Sequence, residues 1–175
     1  MKIEKVNYIA RFSLLLLTVV MGISCAVSYK FSGTSIDYSR TKTIQISDFD
    51  NQAQMVYAPL TDVFNETLKD LYARQTRLTL VNRNGDLEIE GEITNYDISS
   101  MSIQADALAA ETRLTIRMKV RFVNNKNHDE DFERSYTSYR NFSSNLMLND
   151  VQDDLITEMT KEFAELIFND TVANW

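Results

Sequence analysis

The sequence predicts an α+β fold, a two-layer sandwich with two helices packed on one face of a mostly antiparallel four-stranded sheet. Three observations predict it. Two long segments alternate apolar and charged residues with the period of a strand, and two others carry an apolar stripe at helical spacing. The order along the chain is strand, helix, three or four strands, helix, so one apolar sheet face and two one-sided helices are left to cover each other. Length agrees with a single domain. Of 175 residues, 151 remain after a 24-residue leader, enough to bury roughly 70% of the unfolded surface around one core. The formal charge of −7, from 25 Asp and Glu against 18 Lys and Arg, argues against a nucleic-acid partner, whose footprint is a basic excess.

The leader comes first. Lys2, Lys5 and Arg11 precede an apolar run from Phe12 to Ile23, and Ser24 and Cys25 follow. About a dozen apolar residues fall short of the roughly 20 that span a bilayer, and the basic start and small-residue exit are those of a secretory signal. Residues 1–24 are therefore expected to be removed. Gly22 and Ser24 before the only cysteine resemble the lipobox of bacterial lipoproteins, with Gly22 standing where Leu is usual; this implies that Cys25 is acylated and becomes the mature N-terminus. Several acyl chains anchor lastingly, because each buried CH₂ contributes about 0.8 kcal/mol. With no second cysteine the domain has no disulfide and relies on its core. Ala26 to Lys30 contain no acidic run, so the expected location is the periplasmic face of the outer membrane. Residues 25–41 read as a lipidated N-terminus and tether, and residues 42–175 as the domain.

Within the domain, Ile44 and Ile46 share one face of a short strand, and 51–58 connect it to the first helix. That helix opens with Pro59 and runs to about Gln75, with Leu60, Val63, Phe64, Leu68, Leu71 and Tyr72 as its stripe. Leu78 to Val81 is a short β-prone run, closed by the turn Asn82-Arg-Asn-Gly85. Leu87, Ile89, Gly91 and Ile93 then alternate with Glu88, Glu90 and Glu92, and the phase slips before Tyr96 and Ile98 as a β-bulge would cause. Leu114, Ile116, Met118, Val120 and Phe122 alternate with Arg113, Thr115, Arg117, Lys119 and Arg121.

Antiparallel pairing with residue numbers summing to about 209 sets Glu88 against Arg121, Glu90 against Lys119 and Glu92 against Arg117, with sums of 207 or 211 as alternatives. The parity is enforced in every case, because a slip of one residue would bury the charges. A third long strand follows from Phe132, with Arg134 on the nominally apolar face at an edge, its stem on the core and its head in water. The last helix is expected to be capped by Asn149-Asp150 and to end near Asn169, with a stripe of Val151, Leu155, Ile156, Met159, Phe163, Leu166 and Ile167.

Catalysis finds no constellation. His128, the only histidine, lies in a polar turn; the one cysteine is the expected anchor; the four glycines are scattered, and no zinc set exists. Glu88, Glu90 and Glu92 face cations and so hold their charge, the wrong disposition for a general acid. The chain is expected to be no enzyme and to need neither cofactor nor metal. Two features point to binding. Arg113, Arg117, Lys119 and Arg121 form a row that either grips phosphates or sugar carboxylates or is consumed by the glutamates. The connector 101–110 is apolar for a loop, and Met101, Ile103 and Leu108 are either a partner contact or a part of the core.

Taken in order, Cys25, Tyr29-Lys-Phe-Ser-Gly33, the run Gly85 to Tyr96, the run Arg113 to Asn124, Asp131-Phe-Glu133 and the ending Phe168 to Trp175 resemble the divergent branch of the LPS-assembly lipoprotein LptE family. The resemblance covers nearly the whole mature chain. It implies two helices on one face of a four-stranded sheet behind a lipidated cysteine. It also implies a non-enzymatic plug that helps the β-barrel LptD assemble and assists delivery of lipopolysaccharide to the outer leaflet, with basic sheet residues near that lipid. An auxiliary lipoprotein of another envelope transporter or secretion system is the other reading the same features allow.

Overall fold

The structure is a computed structural model that describes residues 36–101 and 110–173. The leader 1–24, Cys25, most of the tether, and Ile103 and Leu108 of the connector lie outside the described residues. The chain runs β1 (Thr43–Ile46), β2 (Asp50–Asn51), α1 (Ala58–Gln75), β3 (Thr79–Leu80), β4 (Leu87–Met101), β5 (Glu111–Asn124), β6 (Phe132–Ser143) and α2 (Leu148–Thr171).

The two helices on one side of a sheet are as expected, but the sheet is mixed and six-stranded rather than four-stranded and mostly antiparallel. Its order is β3-β1-β4-β5-β6, with β2 beside β4. β1 runs parallel to both β3 and β4, and β2 parallel to β4. The reason is connectivity: β1 reaches β3 through α1, and a strand-helix-strand crossover returns the chain in the same direction. β2 and β3 have two residues each, too few to display a period.

Ile44 and Ile46 bring the first strand into the core, and Phe49, fully buried, closes over Gly91 of β4. A Cβ on Gly91 would collide with the Lys119 carbonyl oxygen and the Phe49 ring, which is why a glycine occupies this apolar-face position. Phe49 meets Phe64 of α1 edge-on at 4.9 Å, and its backbone N–H donates to Asn65 Oδ1 at 2.9 Å. These contacts fix the helix over the sheet. The turn after β3 is where the sequence places it; Asn84 takes the left-handed conformation (φ 55), which asparagine tolerates.

The bulge also falls where the phase slips. Register shifts between Ile93 and Asn95, and the Thr94 hydroxyl donates to the Arg117 carbonyl at 3.2 Å. Before the bulge the β4–β5 ladder is the open alternative of 211, not 209, and the bulge adds one beyond it: Glu90 faces Arg121, Glu92 faces Lys119, Glu88 faces Val123, and Asn95 faces Arg117. Parity was enforced by burial, but the two-residue step is set at the strand ends. There Asn125 donates its N–H to the Asp86 carbonyl and its Nδ2 to the Gly85 carbonyl, at 2.9 and 2.8 Å.

The helices run parallel. Tyr57, just before α1, donates to Asp153 in the first turns of α2, while Tyr72 and Thr171 share a buried hydrogen bond at the other end. Burial pushes the Tyr72 phenol above its ordinary range. α2 begins one residue before the expected cap: Met147 is its N-cap, and neither Asn149 nor Asp150 caps it, since both lie inside the first turn. Leu166 is exposed rather than part of the stripe, and Ala164 and Phe168 are buried in its place.

Arg134 does more than reach water. Its guanidinium pairs with Asp170, stands 5.1 Å over the Phe132 ring, and shares Asp170 with the Tyr136 hydroxyl at 2.6 Å. Asp170 sits at the negative end of α2, whose last turn has no basic residue, so a cation from β6 offsets an unfavourable charge. Arg140 and Ser138 continue this seam to Glu162, at 2.8 and 2.9 Å. β6, an edge strand, is thus tied to α2 by polar groups where central strands use apolar ones.

Candidate functional site

β5 places Arg113, Thr115, Arg117, Lys119 and Arg121 on the sheet face away from the helices, alternating with buried Leu114, Ile116, Met118, Val120 and Phe122. The predicted row therefore exists, on one exposed surface. β4 adds Glu88, Glu90 and Glu92 before the bulge and Asn95, Asp97 and Ser99 beyond it, and β6 adds Glu133, Ser135, Thr137, Tyr139 and Asn141.

Register divides the row. Arg121 pairs with Glu90 at 2.7 Å and Lys119 with Glu133 at 2.6 Å. Glu90 and Glu133 raise the proton affinity of these two cations, and Lys119 holds the Glu133 carboxyl below its usual range. A shallow cleft of about 360 Å³ lies here, with Asp48, Asp50 and Glu92 beside the paired charges. Glu88 is engaged by Asn125 Nδ2 at 2.9 Å instead of by an arginine.

Past the bulge the partners change. Arg117 lies between Asn95 and Thr137, and its Nε donates to the Thr137 hydroxyl at 3.3 Å. Arg113 lies between Ser99 and Asn141; its Nε donates to Asn141 Oδ1 at 2.9 Å, and its guanidinium carbon lies 4.1 Å from the Tyr139 ring centroid. Among the described residues neither arginine has a carboxylate within ion-pair distance. Among the described residues the row is consumed by acids at one end and not at the other, where Arg117 and Arg113 have neutral polar partners.

The sequence reading of the third strand rests on Phe132 and Arg134 and does not single out Tyr139 or Asn141. The signal was present: Glu133, Ser135, Thr137, Tyr139 and Asn141 keep the same parity to the end of β6.

Met101 is half-buried at the last rung of the β4–β5 ladder, opposite Glu111. The same pole carries both helix N-termini, and each is preceded by two exposed apolar residues. Met55 and Val56 are 45% and 65% exposed, Leu146 and Met147 48% and 75%. The opposite pole, around the turn 82–86 and the short 3₁₀ segment His128–Glu130, is polar; His128 is exposed there and bonds Asp131 at 2.9 Å. Among the described residues no group of three acidic, histidine or cysteine side chains is placed to hold a metal, and no helix is long and apolar enough to cross a membrane.

A family model described as LptE, lipopolysaccharide-assembly, matches residues 41–171. No curated protein matches the chain in sequence. Among solved structures, a hypothetical protein from Chlamydia trachomatis is similar with a TM-score of 0.52 at 9% identity, over 77% of this chain and 99% of that one. A protein from Xanthomonas campestris gives 0.50 at 13% identity, over 73% and 84%. The rare lipoprotein B from Shewanella oneidensis gives 0.47 at 16%, over 71% and 91%. At such identities the first two likenesses speak to fold alone.

Proposed function

This chain belongs to the LptE, lipopolysaccharide-assembly, family, and from that premise we propose that it is a lipid-anchored, non-enzymatic component of the outer membrane. It is held at the periplasmic face through Cys25, seats inside an LptD-type β-barrel, helps that barrel assemble, and contacts lipopolysaccharide with the outer face of its sheet. One observation carries the ligand side: Arg113 and Arg117 stand on an uncovered sheet face without acidic partners among the described residues, next to two cations of the same strand that are paired. Guanidinium groups in that state grip phosphate bidentately.

In this reading the barrel meets the pole of Met55, Val56, Leu146, Met147 and Met101. Several exposed large apolar side chains at one end of a domain are the usual mark of a contact surface, and near the turn 82–86 at the opposite pole Leu80 alone is comparably exposed among the described residues. The connector that leaves from Met101, with Ile103 and Leu108, is proposed as part of the same contact on its sequence.

The test is a pull-down of the tagged full-length protein from detergent-solubilised outer membranes, with labelled palmitate. A large β-barrel is expected in the eluate and label on the wild type, with both lost in Cys25→Ser. Recovery with components of a different transporter, or an unlabelled wild type in the soluble periplasm, would overturn the reading.

A further inference from the structure

Arg113 differs from the other three cations of its row in how it is held. Its Nε is engaged by Asn141 Oδ1 at 2.9 Å, and Asn141 is itself fixed by donating Nδ2 to Glu111 Oε2 at 2.9 Å. The guanidinium lies over the ring of Tyr139, at 4.1 Å from the centroid, and that ring is 54% exposed. An arginine on an exposed strand ordinarily samples many rotamers, and ordering it on binding is costly. Here the guanidinium is held by the ring beneath it and by one hydrogen bond at Nε. Neither contact uses the two terminal nitrogens, so the Nη1–Nη2 edge remains, a pair of parallel donors spaced for two oxygens of one tetrahedral anion. Glu111 reaches Arg113 only through Asn141, which leaves the guanidinium charge without a direct carboxylate partner among the described residues.

We propose that Tyr139, Asn141 and Glu111 are positioning residues that hold Arg113 as a ready-made receptor for a phosphate monoester carried by an amphiphilic ligand. The inference rests on the lipopolysaccharide reading above and narrows it: one arginine reads the phosphate, and residues of β6 and the first residue of β5 determine that it does so. Tyr139 acts through its ring rather than its hydroxyl, since the guanidinium sits on the ring face.

The test measures binding of lipopolysaccharide, and of the same lipopolysaccharide after phosphatase treatment, to full-length protein in detergent, for the wild type, Tyr139→Leu, Tyr139→Phe and Asn141→Ala. The wild type is expected to prefer the phosphorylated form about tenfold or more. Tyr139→Leu and Asn141→Ala should each weaken that form by about three- to tenfold and leave binding of the dephosphorylated form unchanged, while Tyr139→Phe behaves as wild type. Thermal unfolding of the four proteins is recorded alongside, and matched midpoints are expected because both side chains lie on the exposed face. Inorganic phosphate as competitor separates a lipid-borne phosphate from the free ion: displacement only at high millimolar concentration supports the proposal, and displacement as effective as by lipopolysaccharide overturns it. A wild type that binds no lipopolysaccharide removes the ligand reading and this proposal together. A wild type that binds while Tyr139→Leu and Asn141→Ala bind equally well, or lose both lipid forms alike, removes this proposal alone.

Discussion

The two ends of the β4–β5–β6 surface, on either side of the bulge at Thr94, are built from the same strands and the same alternation, yet they hold their cations differently. Before the bulge, Glu90 meets Arg121 and Glu133 meets Lys119, and the cations are satisfied. Beyond it, Arg117 and Arg113 meet Thr137, Asn141 and Tyr139. Directly opposite the cations, the β4 side chains change from glutamate to Asn95 and Ser99 at that point, with Asp97 facing Thr115 between them. A row of basic residues is thus no site by itself. The neighbouring strands decide, rung by rung, whether a charge is spent within the sheet or presented to a ligand. The paired end also lies beside β1, β2 and the buried Phe49, which makes it the structural half, and the other end is the one proposed to meet a ligand.

If that division is right, damage to the paired end should lower stability and spare binding chemistry. The largest effect is expected from Gly91→Ala, whose Cβ would strike the Lys119 carbonyl oxygen and Phe49. A loss of about 1–3 kcal/mol or more in denaturant unfolding is predicted, since backbone and a packed ring both have to move. A variant as stable as wild type would mean that the Phe49 contact does not hold this end together.

A smaller effect is expected at Asp86, which ties the start of β4 to β1 and to the turn after β5. It accepts from the Lys42 and Thr43 N–H groups at 2.8 and 3.1 Å and pairs with Lys126 at 2.8 Å. Lys126, and after it the Lys42 N–H, hold its carboxyl well below the usual carboxylate range. Because the folded state binds this proton more weakly than the unfolded chain, the stabilisation is fully present above the unfolded value of about 3.9 and is lost as pH falls through the lower folded value. Asp86→Ala should therefore lose about 1–3 kcal/mol near neutral pH, with the gap from wild type constant above about pH 5 and narrowing below about pH 4. A gap independent of pH down to pH 2 would show that the carboxylate charge contributes nothing.

Much of this surface was legible in the sequence, and the part that was not has physical reasons. Alternation through Leu87–Ile93 and Leu114–Phe122 gave both long strands, the bulge and the exposed basic row, because burial of one face leaves a period that survives in composition. It did not give the register step. Sums of 209 and 211 bury the same side chains, and only the end contacts of Asn125 with Gly85 and Asp86 tell them apart. That two-residue difference moves Arg117 away from Glu92, and the extra residue of the bulge leaves it beside Asn95. β2 was hidden by brevity; β3 was legible as the β-prone run Leu78 to Val81, but two residues carry no sign of the parallel pairing with β1. Tyr139 and Asn141 were hidden because a strand of Ser, Thr, Tyr and Asn on its outer face resembles any solvated edge until Arg113 is seen lying on it.

The most direct measurement sets two charge-neutralised doubles side by side in a lipopolysaccharide-binding titration, each at a temperature well below its own unfolding midpoint. Arg113→Gln with Arg117→Gln should weaken binding by about tenfold or more, as loss of charge-assisted contacts does, while Lys119→Gln with Arg121→Gln should bind within a factor of about two of wild type, as expected for exposed cations already paired. Equal losses in the two doubles, or a larger loss in the second, would contradict the division of the sheet into a closed end and an open one.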